Sequence, residues 1–385
     1  MNLLFDIVAT QPNASGQRHG GGKYGEIVFQ RMLEMGIRPI CYYRSRFWLN
    51  PGISQLIQHY HLTLIDLDHV ALEDIIRDNH IDTLYSCLPS SKILKLQCCK
   101  VKATLHGLRN VETPYDSIFW RYREIKWRTR MRFILEKYSP KIGLHYQRNT
   151  DNYKMFAENP RVEFAMVSHH SALSFLCYFP QYKEREIPVF YSPNTSLPHS
   201  IATRFYTEKY FFMVSGNRWE KNCLRAIQAL DRLFSTGFLD GYRVKITGAK
   251  NEHIYKYQLQ NPERFDFLGY VTDPQLEQLY HDSYALIYPS LNEGFGYPPL
   301  EAMRYGVPVL TSSYGSIPEV CQGAVLYFNP TSVEEIMNRI LFLTTDLNLY
   351  TCLQKLGVQQ YSLIAERQKK DLDNLIEWIV NGNKK

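Results

Sequence analysis

Two acidic residues, Glu293 and Glu301, are held apart by GFGYPPL, seven residues with two glycines and two prolines. Glycines let a backbone approach a ligand closely, and Pro298 and Pro299 lack the N–H groups that a first helical turn cannot use internally. The spacing predicts a loop at Glu293, then a helix with Glu301 in its first turns. The amides of Gly294, Phe295, Gly296 and Tyr297 would face out of its amino end, a setting that favours an anionic or polyhydroxylic group. A carboxylate accepts hydrogen bonds from both hydroxyls of a vicinal diol, each charge-assisted bond contributing about 1.5–3 kcal/mol net. Two carboxylates beside a nest of amides therefore suit a ligand bearing both hydroxyls and phosphate, such as a sugar nucleotide. Either glutamate alone reads as well as a helix-capping charge or a solvated loop residue.

A second group, GNRWEKN at 216–222, follows the apolar run YFFMVS. Arg218 and Lys221 precede a helical pattern from about Asn222 to Leu233, so their positive charge adds to the dipole at that helix's amino end. A diphosphate leaving a sugar develops negative charge, and cations aimed at it are a main source of rate acceleration. An Arg and a Lys near a helix start are ordinarily solvated; their coincidence with the two glutamates favours the functional reading.

These residues need strands and helices to place them. Apolar runs at 3–9, 38–43, 81–87, 101–106, 162–168 and 187–191 alternate with helical patterns such as Tyr24 to Met35 and Ala71 to Asn79. After SPNTSLPHS (192–200), a Ser- and Pro-rich linker without periodicity, the alternation starts again with YFFMVS, RVKITG, RFDFLG, YALIYPS, VPVLTS and AVLYF. One helix opens at Asp273 with Pro274 behind it, and another opens with the capping box Ser332-x-x-Glu335. The pattern predicts an α/β chain of two doubly wound parallel-sheet domains facing each other across a hinge. Ligands in such sheets sit at the carboxyl ends of the strands. Glu293 follows YALIYPS, and Arg218 and Lys221 follow YFFMVS.

The 385 residues make two domains a better expectation than one, and 45% hydrophobic with 21% charged residues fits a globular protein. MNLLFDIVAT has no basic flank and is interrupted by Asp6, so it reads as a strand rather than a signal peptide. No apolar stretch approaches the roughly 18 residues needed to span a bilayer, and a cytoplasmic location is expected. Eight cysteines without a CxxC pair suggest reduced, structural thiols. Gly20, Gly22 and Gly25 fit G-x-G-x-x-G, but they start well after the first strand and the next strand offers no acid for a ribose, which argues against a nicotinamide enzyme. Asp66 and Asp68 form a D-x-D triplet of the kind metal-dependent transferases use. Arg218 and Lys221 supply the positive charge in its place, so no metal and no cofactor are expected.

The stretches FMVSGNRWEKNCLRAIQAL, FLGYVTDPQLEQLYHDSYALIYPSLNEGFGYPPLEAMRYGVPVLTSSYGSIPEV and AVLYFNPTSVEEI resemble the carboxyl-terminal half of glycosyltransferase family 4. Before residue 211 the resemblance shrinks to GGGKYGE (20–26), TLHG (104–107) and VSHHS (167–171). It implies the GT-B fold of two Rossmann-like domains: an acceptor-side domain at 1–195, a nucleotide-sugar domain at 196–360, and a helix at 361–385 returning to the first. It also implies retaining hexosyl transfer from a nucleotide-diphosphate sugar to a saccharide or lipid-linked saccharide, as in surface polysaccharide or glycoconjugate synthesis. Glu301 would hold the donor's ribose hydroxyls. Glu293, with Gly294 and the amides of Phe295, Gly296 and Tyr297, would hold its sugar and phosphates. Gly216, Arg218 and Lys221 would face the diphosphate, Gly21 and Gly22 would close over the donor, and His106 would lie beside the transferred sugar. The stretch from Gly216 to Lys221 is shorter than in many members, which bears on Arg218. The alternative is a subunit that keeps the fold without catalysis.

The acceptor leaves one trace. From Arg121 to Lys137 there are seven basic residues against Glu124 and Glu136, an excess of five in a chain whose net charge is +6. At helical spacing Trp120, Trp127, Met131, Ile134 and Tyr138 form one apolar stripe, and Ile118, Tyr122, Ile125 and Phe133 a second. One stripe would pack on the domain and the other dip into an anionic membrane surface, making the protein peripheral on the inner face of the membrane. The competing reading is a core helix with a solvated basic rim. No nucleic-acid-binding motif is present.

Overall fold

The computed structural model describes residues 2–12, 20–113, 117–122, 127, 131, 143–194, 209–249, 253–256 and 259–381. The chain divides into two compact units: residues 1–108, 144–196 and 366–385 form the first, and 109–143 with 197–365 the second.

In the first unit, β1 (Leu3–Asp6), β2 (Ile40–Tyr43), β3 (Leu64–Asp66), β4 (Thr83–Ser86), β5 (Lys100–Leu105) and β6 (Val162–Met166) form one sheet in the order β3-β2-β1-β4-β5-β6. All five pairings are parallel. Every residue of β1 and β4 is buried, as strands covered on both faces must be. β3 is the shortest of these strands, three half-buried residues that end at Asp66. The expected strand at 187–191 is reduced to one bridge, Met166 to Val189. Pro188 accepts a bond from the Met166 amide but has no N–H with which to extend a ladder.

The second unit repeats the design. β7 (Lys209–Met213), β8 (Tyr242–Ile246), β9 (Phe265–Phe267), β10 (Ala285–Tyr288), β11 (Val309–Ser312) and β12 (Leu326–Phe328) run parallel in the order β12-β11-β10-β7-β8-β9. Counted from its own first strand, this is the order of the first sheet. Helix Cys223–Ser235 buries Leu224, Ile227, Leu230 and Leu233 at helical spacing, and Val333–Thr345 adds Ile336, Ile340 and Leu343 to the same core. Of the expected Ser332 capping box the structure shows one half, Ser332 accepting from the Glu335 amide at 3.1 Å; helix Asp273–Asp282 opens where expected, preceded by a capping box of Thr272 and Gln275 that was not expected.

Two features depart from the expected domain bounds. Residues 109–143 group with the second unit, where Ile118 and Tyr122 pack on its core and the Phe119 ring meets Trp219 edge-on at 5.0 Å. The last helix starts at Leu347, runs 35 residues to Asn381, and passes from the second unit to the first at Glu366. Beyond that point Asp371 accepts from the Tyr191 amide at 2.9 Å, Asp373 pairs with Arg31 at 2.7 Å, and Lys102 donates to the Trp378 carbonyl.

Candidate active site

In the second sheet β7 and β10 are neighbours, and the connections that leave them continue to opposite sides, β7 to β8 and β10 to β11. The crevice at the carboxyl ends of such a strand pair is where doubly wound sheets bind ligands. The loops after these two strands carry Arg218 and Lys221 on one and Glu293 on the other.

The loop after β7 is held in an unusual backbone path. Ser215 and Asn222 both take left-handed conformations, with φ of 59° and 55°, which non-glycine residues seldom adopt outside constrained sites. Asn222 is fixed by its side chain, which donates to the carbonyls of Pro289 at 3.1 Å and Pro330 at 2.6 Å. Gly216 is required by packing: a Cβ there would lie 2.9 Å from both Ala249 Cβ and Ile246 Cγ2. The Leu224 amide in the first turn of helix Cys223–Ser235 donates to the Tyr122 hydroxyl at 3.1 Å, so a side chain of the protein meets that helix start.

Lys221 and Glu293 form a buried ion pair, Nζ to Oε1 at 2.5 Å, with relative exposures of 5% and 6%. The same Oε1 accepts from the hydroxyls of Tyr288 at 2.6 Å and Ser290 at 2.5 Å, and Lys221 also reaches the Tyr288 oxygen at 2.6 Å. Oε2 faces Arg109 Nη2 at 3.9 Å. Burial pushes the Glu293 carboxyl up, but Lys221, Arg109 and the bonds from Lys221 and Ser290 outweigh it and bring its pKa down to about 2. Burial lowers the Lys221 pKa, Glu293 opposes this, and Arg218 and Arg109 push it further down. The two directions agree physically: cations outnumber anions here, so the carboxylate is favoured and the extra ammonium is not. The Glu293 backbone is clamped as well. Ser316 donates to its carbonyl through N at 3.1 Å and Oγ at 3.0 Å, and Gly315, with φ of 64°, packs so closely that a Cβ would lie 2.7 Å from that oxygen.

Arg218 does not stand alone either. Its Nη2 and Nε reach Glu220 Oε1 at 2.6 and 3.1 Å, and Arg109 Nη1 approaches the same oxygen at 3.5 Å. Burial lowers the Arg218 pKa, but Glu220, with a smaller pull from Glu293, raises it above its ordinary value. Burial likewise raises Glu220, and Arg218 and Arg109 bring it below the usual carboxylate range. Glu112, on the same short helix as Arg109, accepts from Asn292 Nδ2 at 2.5 Å.

Glu301 lies half-buried in helix Tyr297–Arg304, whose N-cap Gly296 takes φ of 97°. The buried Tyr280 hydrogen-bonds Glu301. Gly294 and Phe295 are buried in the loop, and the Phe295 ring meets Tyr297 at 5.5 Å. The structure thus brings Lys221, Glu293 and Arg218 into one cluster and puts Glu301 on the helix that follows Glu293. Arg109, Glu220, Tyr288, Ser290 and Gly315 were missed. Glu220 was flagged only by lying between Arg218 and Lys221, and Arg109 by nothing stronger than its place three residues after His106.

The remaining candidates belong to the first unit. His106 follows β5, and its Nε2 donates to the Cys87 carbonyl at 2.9 Å while its ring meets Tyr24 edge-on at 4.7 Å. Gly21 and Gly22, expected in a loop, occupy the first turn of helix Gly20–Glu34. Gly25 is fixed by packing on Cys87 and Thr10, so the glycine run is a helix start. Asp68 pairs with Arg44 at 2.6 Å, and Asp66 accepts from the amides of Ser45 and Asp68, so the D-x-D triplet closes onto its own loops. Of the basic aromatic segment, only 118–122, Trp127 and Met131 are described; the rest of the two stripes lies outside the described residues. Among the described residues, no helix is long and apolar enough to cross a membrane.

Comparison with known proteins adds to this geometry. Residues 199–357 match the family model described as glycosyl transferases group 1. A stretch of 128 residues is 33% identical to the O-antigen chain mannosyltransferase RfbU of Salmonella typhimurium, covering 32% of this chain and 35% of that protein. The chain thus spans about a third of the length of this curated relative. The whole fold is similar to that of sucrose-phosphate synthase from Thermosynechococcus elongatus, with a TM-score of 0.67 at 13% identity over 100% of both chains. It is also similar to that of WaaG, a glycosyltransferase involved in lipopolysaccharide biosynthesis, with a TM-score of 0.63 at 13% identity over 99% of this chain and 100% of that one. The fold is the GT-B class expected from the sequence.

Proposed function

We propose, on the premise that residues 199–357 are a group 1 glycosyl transferase domain, that this chain moves a hexose with retention of configuration from a nucleoside-diphosphate sugar to a saccharide or lipid-linked saccharide, in the assembly of a surface polysaccharide. The observation that carries this reading is the cluster of Lys221, Arg218 and Arg109 around Glu293 at the carboxyl ends of β7 and β10. Mannose is the favoured hexose, because the matching relative is a mannosyltransferase.

In this reading Glu293 Oε1 is taken up by Lys221, Tyr288 and Ser290, which leaves Oε2 to accept from a donor sugar hydroxyl. Glu301 takes the ribose diol. Lys221 and the two arginines take the charge that develops as the sugar–diphosphate bond breaks. The departing oxygen receives the proton of the acceptor hydroxyl on the face that hydroxyl attacks, so configuration is retained without a protein nucleophile. His106, Gly21 and Gly22 belong to the acceptor-side unit. That unit has a cavity of about 890 Å³ at the ends of its strands, lined by Asp6, Tyr42, Leu67 and Leu88 among others. The exposed Trp127 and Met131 support contact of the 118–138 segment with an anionic membrane, which flotation with anionic liposomes at low salt tests.

A panel of GDP-mannose, UDP-glucose and other nucleotide sugars, assayed for hydrolysis and transfer with and without EDTA, tests the assignment. GDP-mannose turnover that EDTA leaves unchanged, giving an α-linked product, is the expected result. Binding of donors without hydrolysis or transfer would instead support a non-catalytic subunit, and a product of inverted configuration would overturn the front-face route.

A further inference from the structure

Glu220 lies between Arg218 and Lys221 in sequence and between Arg218 and Arg109 in space. Its Oε1 accepts two bonds from the Arg218 fork and faces Arg109 at 3.5 Å, with only 14% of its side chain exposed. Its carbonyl is fixed by the Leu291 amide at 2.8 Å and the Ser290 hydroxyl at 3.3 Å, so the residue is tied to the loop that presents Glu293. An arginine fork binds carboxylate and phosphate oxygens with the same geometry. The cluster therefore holds three cations, Arg109, Arg218 and Lys221, already answered by two carboxylates, Glu220 and Glu293.

This arrangement poses a problem for a diphosphate. Lys221 is pinned by Glu293, Tyr288 and burial, whereas Arg218 is bound to a carboxylate that it shares with Arg109. An incoming diphosphate can recruit the arginines only by competing with Glu220. We propose that Glu220 is a built-in counter-ion that occupies, between Arg218 and Arg109, the place taken by the donor's diphosphate, and so holds down diphosphate affinity and speeds release of the nucleoside diphosphate product. The inference rests on the reading above that a nucleotide sugar binds at these loops. Glu220 is a positioning residue: it acts through the arginines and not on the sugar.

The test is calorimetric titration of the full chain with UDP and GDP, each beside its uncharged nucleoside, for the wild type, Glu220→Gln and the double variant Arg109→Gln/Glu220→Gln. Glutamine keeps the shape and removes the charge. Glu220→Gln is expected to bind the preferred nucleoside diphosphate about tenfold more tightly, the worth of one charge-assisted contact, with nucleoside binding unchanged. The double variant should lose that gain, because one of the released cations is gone. Turnover of Glu220→Gln should fall together with KM, as expected when product release slows. Unchanged or weaker diphosphate binding in Glu220→Gln overturns the inference while leaving the donor site intact. A wild type that binds no nucleoside diphosphate overturns the donor site itself. Should Glu220→Gln fail to fold, Glu220→Asp draws the carboxylate back by one methylene and must shift affinity in the same direction, or the inference fails.

Discussion

Lys221 and Glu293 illustrate how a buried ion pair is held for something other than stability. Removing charges from water costs more than one contact returns, and such pairs can often be replaced by apolar residues without loss. The hydroxyls of Tyr288 and Ser290 supply the extra bonds that make this one tolerable. Lys221→Ala should lower turnover by about 10²- to 10³-fold, as when one transition-state donor is removed. It should also destabilise the fold by about 3–5 kcal/mol, because Glu293 is left buried without its partner; steady-state kinetics beside a urea titration separates the two effects. The same carboxylates set a pH signature. Glu293 falls from an ordinary value of 4.5 to about 2, so its contribution to stability is present above 4.5 and is lost as pH falls toward 2. Asp6, buried at the end of β1, has the opposite sign: burial outweighs its bonds from the Ser86 hydroxyl and the Ala9 amide and raises it from 3.8 to about 6. Its contribution is therefore present below 3.8 and is lost as pH rises through 6. Glu293→Gln should flatten the acid limb of a plot of melting temperature against pH, and Asp6→Asn the fall between 3.8 and 6; an unchanged profile would remove either residue from this account. Much of this was readable from residue types: the glutamate before a Gly-Pro turn and the Arg and Lys after an apolar run declare a polar ligand. What was not readable is that the two glutamates, 220 and 293, neutralise those cations, since contacts between residues as far apart as Arg109 and Glu293 leave no local pattern.

At the scale of elements, strands buried on both faces were legible as apolar runs, and helix starts as Pro and Ser signals. Loss of signal had physical causes. Pro188 spoils a run that otherwise looks like a strand. The first half of helix Leu347–Asn381 carries Gly357, which costs about 1 kcal/mol against alanine in a helix interior and blurs the signal. The two glycines that shape these elements should respond oppositely to alanine. At Gly357 the new methyl would sit 3.4 Å from Met303 Cγ and 3.7 Å from its Cα, ordinary van der Waals contacts, so Gly357→Ala should gain up to about 1 kcal/mol. At Gly315 the methyl would lie 2.7 Å from the Glu293 carbonyl and 2.8 Å from its amide nitrogen, both backbone atoms, at a φ of 64°. Gly315→Ala should lose at least about 1–2 kcal/mol from the left-handed conformation alone and displace the Glu293 loop, weakening donor binding. Chemical denaturation of both variants checks the signs, and stabilisation by Gly315→Ala would mean that the loop after β11 does not clamp Glu293.

At the scale of the molecule, two units share one strand order, yet the charge cluster is built in only one of them. The carboxyl ends of β7 and β10 carry Lys221, Arg218 and Glu293, whereas in the first unit, among the described residues, those of β1 and β4 carry Asp6, Cys87 and Ser86. A multiply charged ligand should therefore find its binding energy in the second unit. Binding to the native form alone stabilises it by about 2.7 kcal/mol at a ligand concentration one hundred times Kd, and amides whose opening breaks the site share that protection. Hydrogen exchange with saturating GDP or UDP should slow in peptides spanning 214–222, 289–304 and 313–317. The last of these touches Glu293 only through Gly315 and Ser316, so its protection would report the clamp and not direct ligand contact. The strands at the far edge of the sheet, β8 and β9, should be affected only through global opening, because no cluster residue lies there. If a nucleotide that binds by calorimetry protects other peptides and leaves the loops after β7 and β10 exchanging as before, the donor lies elsewhere, and the paired charges at this crevice serve the fold alone.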